Sequence, residues 1–509
     1  MSDNVSKSSR IKITDANHAR SEIGKGSAWM ITMRWVVRLI GVFSTIILAR
    51  LLTPEDFGVV AIAMLIISLI ELFADAGITL AVIRHTEDSR ELYDSAWTLS
   101  IIIGALLTVV ILLASPLTIE FFEEPRSFWI ILVLAFRPLI TGFQNIGILT
   151  FRKELNFRKD FKFGVIRKLS FFVPTIIAAV VLQSYWALVI GTITGGVITV
   201  AASYWMHPFR PRISFSYVHE LLAFSVHLLS QNVMRFICLR FDEFVVGGIA
   251  GTEKMSLYYV AVDVGSAPTA ELVLPISRSL TPIYAKIKDN AENLRSTYLS
   301  TLSMISTLAF SASVGVALVA EEIVSLVLGE QWDAAAGIMV WISLAAAAYA
   351  IVDSANHLLN PIGKEAVATK LGFAVIVLLI PSIIFAGMQG TVEDIAATRF
   401  VVFAVMAPIS LIVVGRQLHI GPIEFAKVLW RPALGASLMA GALIFIDERL
   451  QVPLFFDLLI SVTVGVIVYG SVVTAAWILV GRPVAFETTA IELAREIGSR
   501  IMKRKPHQQ

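Results

Sequence analysis

Charged side chains recur at helical spacing inside stretches of this sequence that are otherwise apolar. Arg34 and Arg38 are four residues apart, as are Gln231 and Arg235, and residues at that spacing share one face of a helix. A charge near the centre of a membrane helix costs about 3 kcal/mol or more, so it usually faces a cavity or a partner. Guanidinium groups bind phosphate oxygens bidentately. The pattern predicts a hydrated cavity that binds a polyanion through Arg34, Arg38, Arg137, Gln231, Arg235 and Arg278.

Five carboxylates in similarly apolar surroundings form a second group of candidates. A carboxylate in a poorly hydrated cavity can take up and release a proton, or hold a coupling cation such as Na+. The alternative is that these carboxylates balance the charge of arginines on neighbouring helices. The candidates for ion coupling are Glu71, Asp75, Asp263, Glu271 and Asp353.

Structural ion pairing is the competing interpretation for several of the charges. In that case Arg34 and Arg38 pair with Glu71 and Asp75 of the next helix, and none of the four contacts a substrate. Farther along the chain, mutual ion pairing is the favoured interpretation of three neighbouring residues, Arg240, Asp242 and Glu243.

No arrangement of residues typical of an enzyme occurs in the sequence. It contains no metal-ligand cluster, no P-loop, no GxSxG motif and no Gly-rich nucleotide motif. The single cysteine, Cys238, excludes an intramolecular disulfide. We therefore expect a protein that is not an enzyme and that has no metal and no cofactor, apart from a coupling H+ or Na+.

Long apolar helices must position these groups. The chain has 509 residues, of which 56% are hydrophobic and 16% are charged. Apolar runs of about 20 residues, the length that crosses the hydrocarbon core of a bilayer, recur along it. We predict an all-α polytopic membrane protein with fourteen transmembrane helices, at 28–51, 57–82, 95–116, 128–150, 163–183, 185–206, 221–250, 255–285, 297–320, 334–359, 366–386, 395–415, 432–447 and 454–480.

The connections between these spans alternate in charge. Lys and Arg are concentrated in both tails and in every second connection, whereas the remaining connections contain only Arg126, Lys254 and Arg449. Segments rich in Lys and Arg stay on the cytoplasmic side of the membrane. This distribution predicts an even number of spans with both termini in the cytoplasm.

A weak internal repeat divides the spans. The segment TPEDFGVVAIA (53–63) aligns without gaps with GTEKMSLYYVA (251–261), and the same offset places Arg235 close to the counterpart of Arg38. We predict two six-helix lobes in a parallel repeat, followed by two further helices. The boundaries are 1–27 for the N-terminal tail, 28–220 and 221–420 for the two lobes, 421–481 for the last two helices and 482–509 for the C-terminal tail.

Two segments resemble a known family. Residues 48–85 read LARLLTPEDFGVVAIAMLIISLIELFADAGITLAVIRH, and residues 321–343 read EEIVSLVLGEQWDAAAGIMVWIS. Both are similar to segments of the polysaccharide transporter family in the multidrug/oligosaccharidyl-lipid/polysaccharide (MOP) superfamily, and the first most resembles the Wzx-type branch. The fourteen spans and the paired lobes match that family over nearly the whole chain.

The resemblance implies a flippase of the bacterial inner membrane. This family moves undecaprenyl-diphosphate-linked oligosaccharide repeat units from the cytoplasmic to the periplasmic leaflet, for exopolysaccharide or O-antigen-type synthesis. It also implies cavity arginines that hold the diphosphate, a role that chemistry and depth assign to Arg34, Arg38 and Arg235. The implied partners are the polyprenyl-diphosphate-linked oligosaccharide, membrane lipid and a polysaccharide polymerase or glycosyltransferases, with no nucleic acid.

Two other functions remain open from the sequence alone. A cation-coupled exporter of drugs or other small molecules, from the same superfamily, would have about twelve spans and an acidic cavity. A non-transporting scaffold of a polysaccharide-assembly complex would not need its cavity arginines for polymer output. The fourteen spans and the several arginines favour transport of an anionic lipid by alternating access.

Overall fold

A computed structural model describes residues 40–41, 43–74, 78, 82, 89–154, 156–449 and 452–480. Throughout these residues the chain is helical or turns between helices, without a β-strand. Nine helices of this part are long and apolar enough to cross a membrane, and a bent pair of helices is a tenth candidate. The predicted all-α polytopic class is confirmed, and the predicted fourteen spans are compatible with it.

The described helices up to residue 206 vary widely in length. Residues 43–51 are helical as well. In chain order the helices are α1 (Pro54–Ala74), α2 (Arg90–Phe122), α3 (Pro125–Leu134), α4 (Arg137–Gly142), α5 (Thr150–Lys153), α6 (Phe157–Leu182) and α7 (Trp186–Met206).

Two very long helices open the rest of the chain, as the sequence predicted for the seventh and eighth spans. The second of them remains helical through three internal prolines, Pro268, Pro275 and Pro282. The helices are α8 (Val218–Ile249), α9 (Gly251–Ile287), α10 (Ala291–Leu318), α11 (Ala320–Ile323), α12 (Ala335–Leu359), α13 (Glu365–Gln389), α14 (Val392–Leu418), α15 (Pro422–Asp447) and α16 (Leu454–Leu479).

The predicted fourth span, 128–150, is broken and not continuous. The segments Pro125–Gly142 and Ile146–Lys153 meet at an angle of 67°. Asn145 causes the break, because its side chain accepts a hydrogen bond from the backbone N–H of Gly147 and so starts a new turn of helix. Its amide nitrogen also donates to the carbonyl of Phe209, at 2.8 Å. The break therefore ties this span to the segment that follows α7.

The chain folds into two compact units. The amino-terminal unit contains the described residues of 1–52, 67–116 and 128–229, and the carboxy-terminal unit contains those of 53–66, 117–127 and 230–509. In the amino-terminal unit α7 packs against α6 and α4. The carboxy-terminal unit thus includes the start of α1 and the connection from α2 to α3. The predicted lobe boundaries stay a prediction.

Helix α12 lies at the centre of the carboxy-terminal unit. It packs against α9, α10, α13 and α14. Its sequence is rich in alanine, and small side chains let neighbouring backbones approach closely in membrane proteins. The last two helices, α15 and α16, pack against each other, and α15 packs against α10. The Tyr469 hydroxyl of α16 donates to the carbonyl of Thr307 at 2.7 Å, which fixes this pair to the unit.

An ion cluster lies at the connection between α2 and α3 in the carboxy-terminal unit. Arg126 donates to Glu55 at 2.6 Å and to Glu124 at 2.8 Å. The hydrogen bond from Arg126 holds the pKa of the Glu124 carboxyl below its usual range. The start of α1 is thereby joined to this connection.

The start of α1 also packs directly against the start of α9. A Cβ atom on Gly58 would overlap the carbonyl oxygen of Thr252, so only glycine permits this approach. Beside it, the rings of Phe57 and Trp332 form an edge-to-face contact with centroids 5.2 Å apart. The two segments that the sequence alignment pairs as repeat counterparts, 53–63 and 251–261, therefore touch each other.

We expect Gly58→Ala to destabilise the protein. The added methyl group must displace the backbone of Thr252, and forcing an extra carbon into a packed contact costs about 1–3 kcal/mol of unfolding free energy. The matched control is Gly441→Ala, because a Cβ at Gly441 meets nothing within 4 Å. Thermal unfolding of the purified protein in one detergent compares the two. Equal unfolding temperatures for the two variants would contradict the close contact.

Candidate functional site

A polar cavity of about 220 Å³ lies within the carboxy-terminal unit. Three helices, α8, α12 and α13, form its walls. Most of the side chains that face it from the first two helices are polar, in segments that are otherwise apolar. The polar lining residues are Asn232, Arg235, Tyr349, Asp353, Asn356, His357, Asn360 and Thr369.

Arg235 is the cation of this cavity. It lies midway along α8, and its neighbours at three residues before and after, Asn232 and Cys238, line the same cavity. This spacing places the three on one helix face. The sequence predicted that Arg235 and Cys238 share a face, whereas Asn232 was not among the predicted residues. Arg235 is exposed, whereas Cys238 is buried. Arg235 is therefore an accessible charge midway along α8.

Asp353 faces the same cavity from α12. The His357 Nε2 atom, one turn later on the helix, lies 3.3 Å from the Asp353 Oδ2 atom. The helix ends directly afterwards, because Pro361 cannot continue it and Gly363 adopts a left-handed φ of +78°. Since an imidazole of its own helix already contacts this carboxylate, Arg235 is not its only partner.

Chemically, the cavity offers one permanent cation, one partnered carboxylate and several neutral amides. The side chains of Asn232, Asn356 and Asn360 each supply both donors and acceptors. A guanidinium group beside amides suits an anionic or hydroxyl-rich ligand. With one carboxylate among the described lining residues, the cavity lacks the set of oxygens that Ca²⁺ or Mg²⁺ prefers.

The amino-terminal unit holds a second group of charges. The Arg137 Nε atom, at the start of α4, lies 3.3 Å from the Glu71 Oε1 atom on α1, and both side chains are partly buried. The pairing expected for Glu71 was with an arginine of the first span, so Arg137 is a partner that sequence analysis had not considered. Lys168 on α6 lies beside Gly41, a residue of the predicted first span.

The other predicted site residues either lie away from the cavity or fall outside the described part of the chain. Asp263 and Glu271 are exposed on α9, and neither lines the cavity of the carboxy-terminal unit. The remaining residues lie outside the described part of the chain, either entirely, as for Arg34, Arg38 and Asp75, or in their side chains only, as for Gln231 and Arg278.

A buried polar network lies two turns beyond Arg235 on α8. The Asp242 carboxylate is 2% exposed and accepts hydrogen bonds from the Tyr258 hydroxyl of α9 and from the Arg399 guanidinium of α14. Arg240 pairs with Glu243 at 2.6 Å, as predicted. Asp242 was expected to take part in the same ion pairing, but it pairs instead with Arg399 of α14.

Arg399 is the residue of this network that sequence analysis missed. It lies at the eighth position of α14, whose start is fixed by a capping box between Thr391 and Asp394. Arg399 lies close to the start of the predicted span 395–415, so it is easily taken for a residue at the boundary of the membrane helix. The available signal was Asp242 itself, because a carboxylate buried in a membrane helix usually pairs with a cation.

These features define the class of the protein. It is a multi-pass helical membrane protein with a polar cavity among the helices of its carboxy-terminal unit, an arrangement found in transport proteins. The chain belongs to the family described as "Polysaccharide biosynthesis protein", whose sequence pattern matches residues 47–337.

Known proteins similar to this chain support the same class. It is 24% identical over 380 residues to the lipopolysaccharide biosynthesis protein WzxC of Escherichia coli (strain K12), covering 73% of this chain and 76% of that protein. It is 21% identical over 430 residues to the succinoglycan biosynthesis transport protein ExoT of Rhizobium meliloti (strain 1021), covering 83% and 87%. The predicted family is confirmed, and so is the prediction of a transport protein and not an enzyme.

A solved structure shows the same fold. The lipid II flippase MurJ, in an inward closed conformation, superposes with a TM-score of 0.72 at 15% sequence identity, covering 88% of this chain and 98% of that chain. At this level of identity the similarity shows the fold alone.

We expect Asp242→Asn to destabilise the protein strongly. It leaves the buried Arg399 guanidinium without its anion, and breaking one side of a buried pair costs about 3–5 kcal/mol of unfolding free energy. Combining Asp242→Leu with Arg399→Met removes both charges and should cost less. Thermal unfolding in detergent measures all of these variants.

The exposed pair Arg295–Glu424 supplies the control for this comparison. Its side chains are 41% and 34% exposed, so Arg295→Gln should cost less than about 1 kcal/mol. If Asp242→Asn unfolds at the temperature of the Arg295→Gln variant, the Asp242–Arg399 pair does not hold the helices together.

Proposed function

We propose that this protein is a flippase for undecaprenyl-diphosphate-linked oligosaccharide repeat units in the bacterial inner membrane. It would move these units from the cytoplasmic to the periplasmic leaflet for synthesis of an exopolysaccharide or O-antigen-type polysaccharide. The observation that carries this proposal is the exposed Arg235 in the amide-lined cavity, midway along α8. Membership of a polysaccharide biosynthesis family supports it independently.

The chemistry of such a ligand matches the cavity. A diphosphate requires a cation, and a guanidinium fork binds two of its oxygens at once. The sugar hydroxyls require groups that both donate and accept, which Asn232 and Asn356 provide. The polyprenyl chain is apolar and can remain in the lipid while the head group crosses.

The two alternative functions fit this cavity less well. An exporter of cationic drugs needs an acidic site, whereas the permanent charge here is positive and the carboxylate of Asp353 already contacts His357. A scaffold that transports nothing has no use for an arginine in an interior cavity, because a charge within a membrane helix costs free energy.

The proposal includes a mechanism, a topology and partners. Transport would proceed by alternating access with both termini in the cytoplasm. Movement would be coupled to H+ or Na+ through carboxylates such as Asp263 and Glu271, which are exposed on α9. A polysaccharide polymerase or glycosyltransferases would contact the protein at the membrane.

We expect Arg235→Ala to lower the rate of translocation about 10–100-fold, because hydrogen bonds to a charged group contribute about 1.5–3 kcal/mol. The measurement uses proteoliposomes that carry a polyprenyl-diphosphate-linked oligosaccharide, and an impermeant sugar oxidase reports which leaflet exposes the sugar. Arg235→Lys keeps the charge without the planar fork and should be intermediate.

The control is Arg416→Ala, because Arg416 is an exposed arginine in the last turn of α14 and does not line the cavity. It should translocate at the wild-type rate. A folded Arg235→Ala variant that also matches the wild type would rule out Arg235 as a substrate ligand. If the wild type moves no sugar under any imposed H+ or Na+ gradient, the flippase proposal fails and the scaffold becomes the better one.

A further inference from the structure

Glu243 is the most buried carboxylate of α8, and only one of its two carboxylate oxygens has a hydrogen-bond partner among the described residues. The Glu243 side chain is 1% exposed, and its Oε1 atom accepts a hydrogen bond from the Arg240 Nη1 atom at 2.6 Å. Its second oxygen, Oε2, is buried and has no hydrogen-bond partner within the described part of the chain. Among the described residues, Arg240 is the one cation that is hydrogen-bonded to this carboxylate.

That cation is much less enclosed than the carboxylate it serves. The Arg240 side chain is 40% exposed, against 1% for Glu243. The two residues are three apart on the same helix, so they can separate by a change of the Arg240 rotamer without any movement of α8. Of the two side chains, only that of Arg240 therefore offers surface that an anion could contact.

The neighbouring charges cannot replace Arg240. On the same helix Asp242 has the same sign as Glu243, and Arg399 of α14 is hydrogen-bonded to Asp242. Tyr258 of α9 donates its hydroxyl to Asp242 as well, and Tyr259 of α9 lies near Arg240. With two cations and two carboxylates, the group is neutral only while Arg240 stays with Glu243.

Loss of Arg240 to another anion would leave Glu243 buried with no cation of its own. An isolated ionised carboxylate in an apolar environment is so unfavourable that it takes up a proton instead. Phosphate oxygens are strong competitors for Arg240, because a guanidinium fork binds them bidentately.

We propose that Arg240 and Glu243 form a switch in which binding of a diphosphate to Arg240 drives uptake of one proton by Glu243. The Glu243 carboxylate and one proton from water form the neutral carboxylic acid, and no electrons are transferred. When the diphosphate leaves, Arg240 returns and the proton is released. The inference rests on the proposed function for the nature of the ligand, and it links anion binding to a proton within one turn of one helix.

Isothermal titration calorimetry on the full-length protein in detergent tests this inference, with farnesyl diphosphate as the probe. Titrations at pH 7.5 in two buffers of different ionisation enthalpy give the number of protons exchanged per ligand bound. Protons exchanged by the probe itself are common to every variant. We expect the wild type to take up about one proton more than Glu243→Gln. Its apparent Kd should also rise more steeply with pH, by up to about tenfold per pH unit.

Two further variants complete the test. Arg240→Gln leaves Glu243 without its cation before any ligand arrives, so binding should weaken at least tenfold and the additional proton should disappear. Glu424→Gln removes a partly exposed carboxylate of the same unit that pairs with Arg295, and its proton count should equal that of the wild type.

The outcomes separate the switch from the function on which it rests. If wild type and Glu243→Gln bind the probe with equal proton counts, the switch is wrong and the cationic ligand site stands. If the wild type does not bind farnesyl diphosphate at all, both the switch and the proposed diphosphate site are wrong. A folded Arg240→Gln variant that retains the extra proton would also overturn the switch.

Discussion

The cost of burying a charge in an apolar helix determines how the carboxy-terminal unit is assembled. Asp242 is almost fully enclosed, and it is tolerated because Tyr258 and Arg399 hydrogen-bond to it from two other helices. One carboxylate thereby joins α8, α9 and α14. Arg235 lies seven residues earlier on the same face of α8, so the register that satisfies Asp242 also turns Arg235 into the cavity.

Exposure in a polar cavity is the other way in which this protein accommodates a charge within a membrane helix. Arg235 is exposed in a cavity that it shares with Asp353 and with the amides of Asn232, Asn356 and Asn360. Arg399, by contrast, is buried against its anion. The two arginines therefore differ in their surroundings: Arg399 bridges two helices, whereas Arg235 is exposed in a cavity. Because both residues are arginines, residue type cannot distinguish their roles. Burial and ion pairing do.

The sequence predicted the helices far better than the partners of the charges. The lengths of the predicted seventh and eighth spans anticipated the long α8 and α9, and helical spacing correctly placed Arg235 and Cys238 on one face. Helical spacing does not reveal which other helix packs against a given face, so the pairing of Asp242 with Arg399 could not be predicted from the sequence. The break at Asn145 was missed for a similar reason, because it depends on contacts with Gly147 and Phe209 that an apolar run does not reveal.

Ion pairs within one helix differ in consequence from pairs between helices. The Asp242–Arg399 pair joins α8 to α14, and breaking it would release two elements of the fold. Arg240 and Glu243 are three residues apart on one helix, so their separation changes only the local balance of charge. A transport protein must respond to its ligand without unfolding, and pairs of the second kind allow this. The same helix therefore carries a charge that holds the fold and, one residue later, a charge that is free to change.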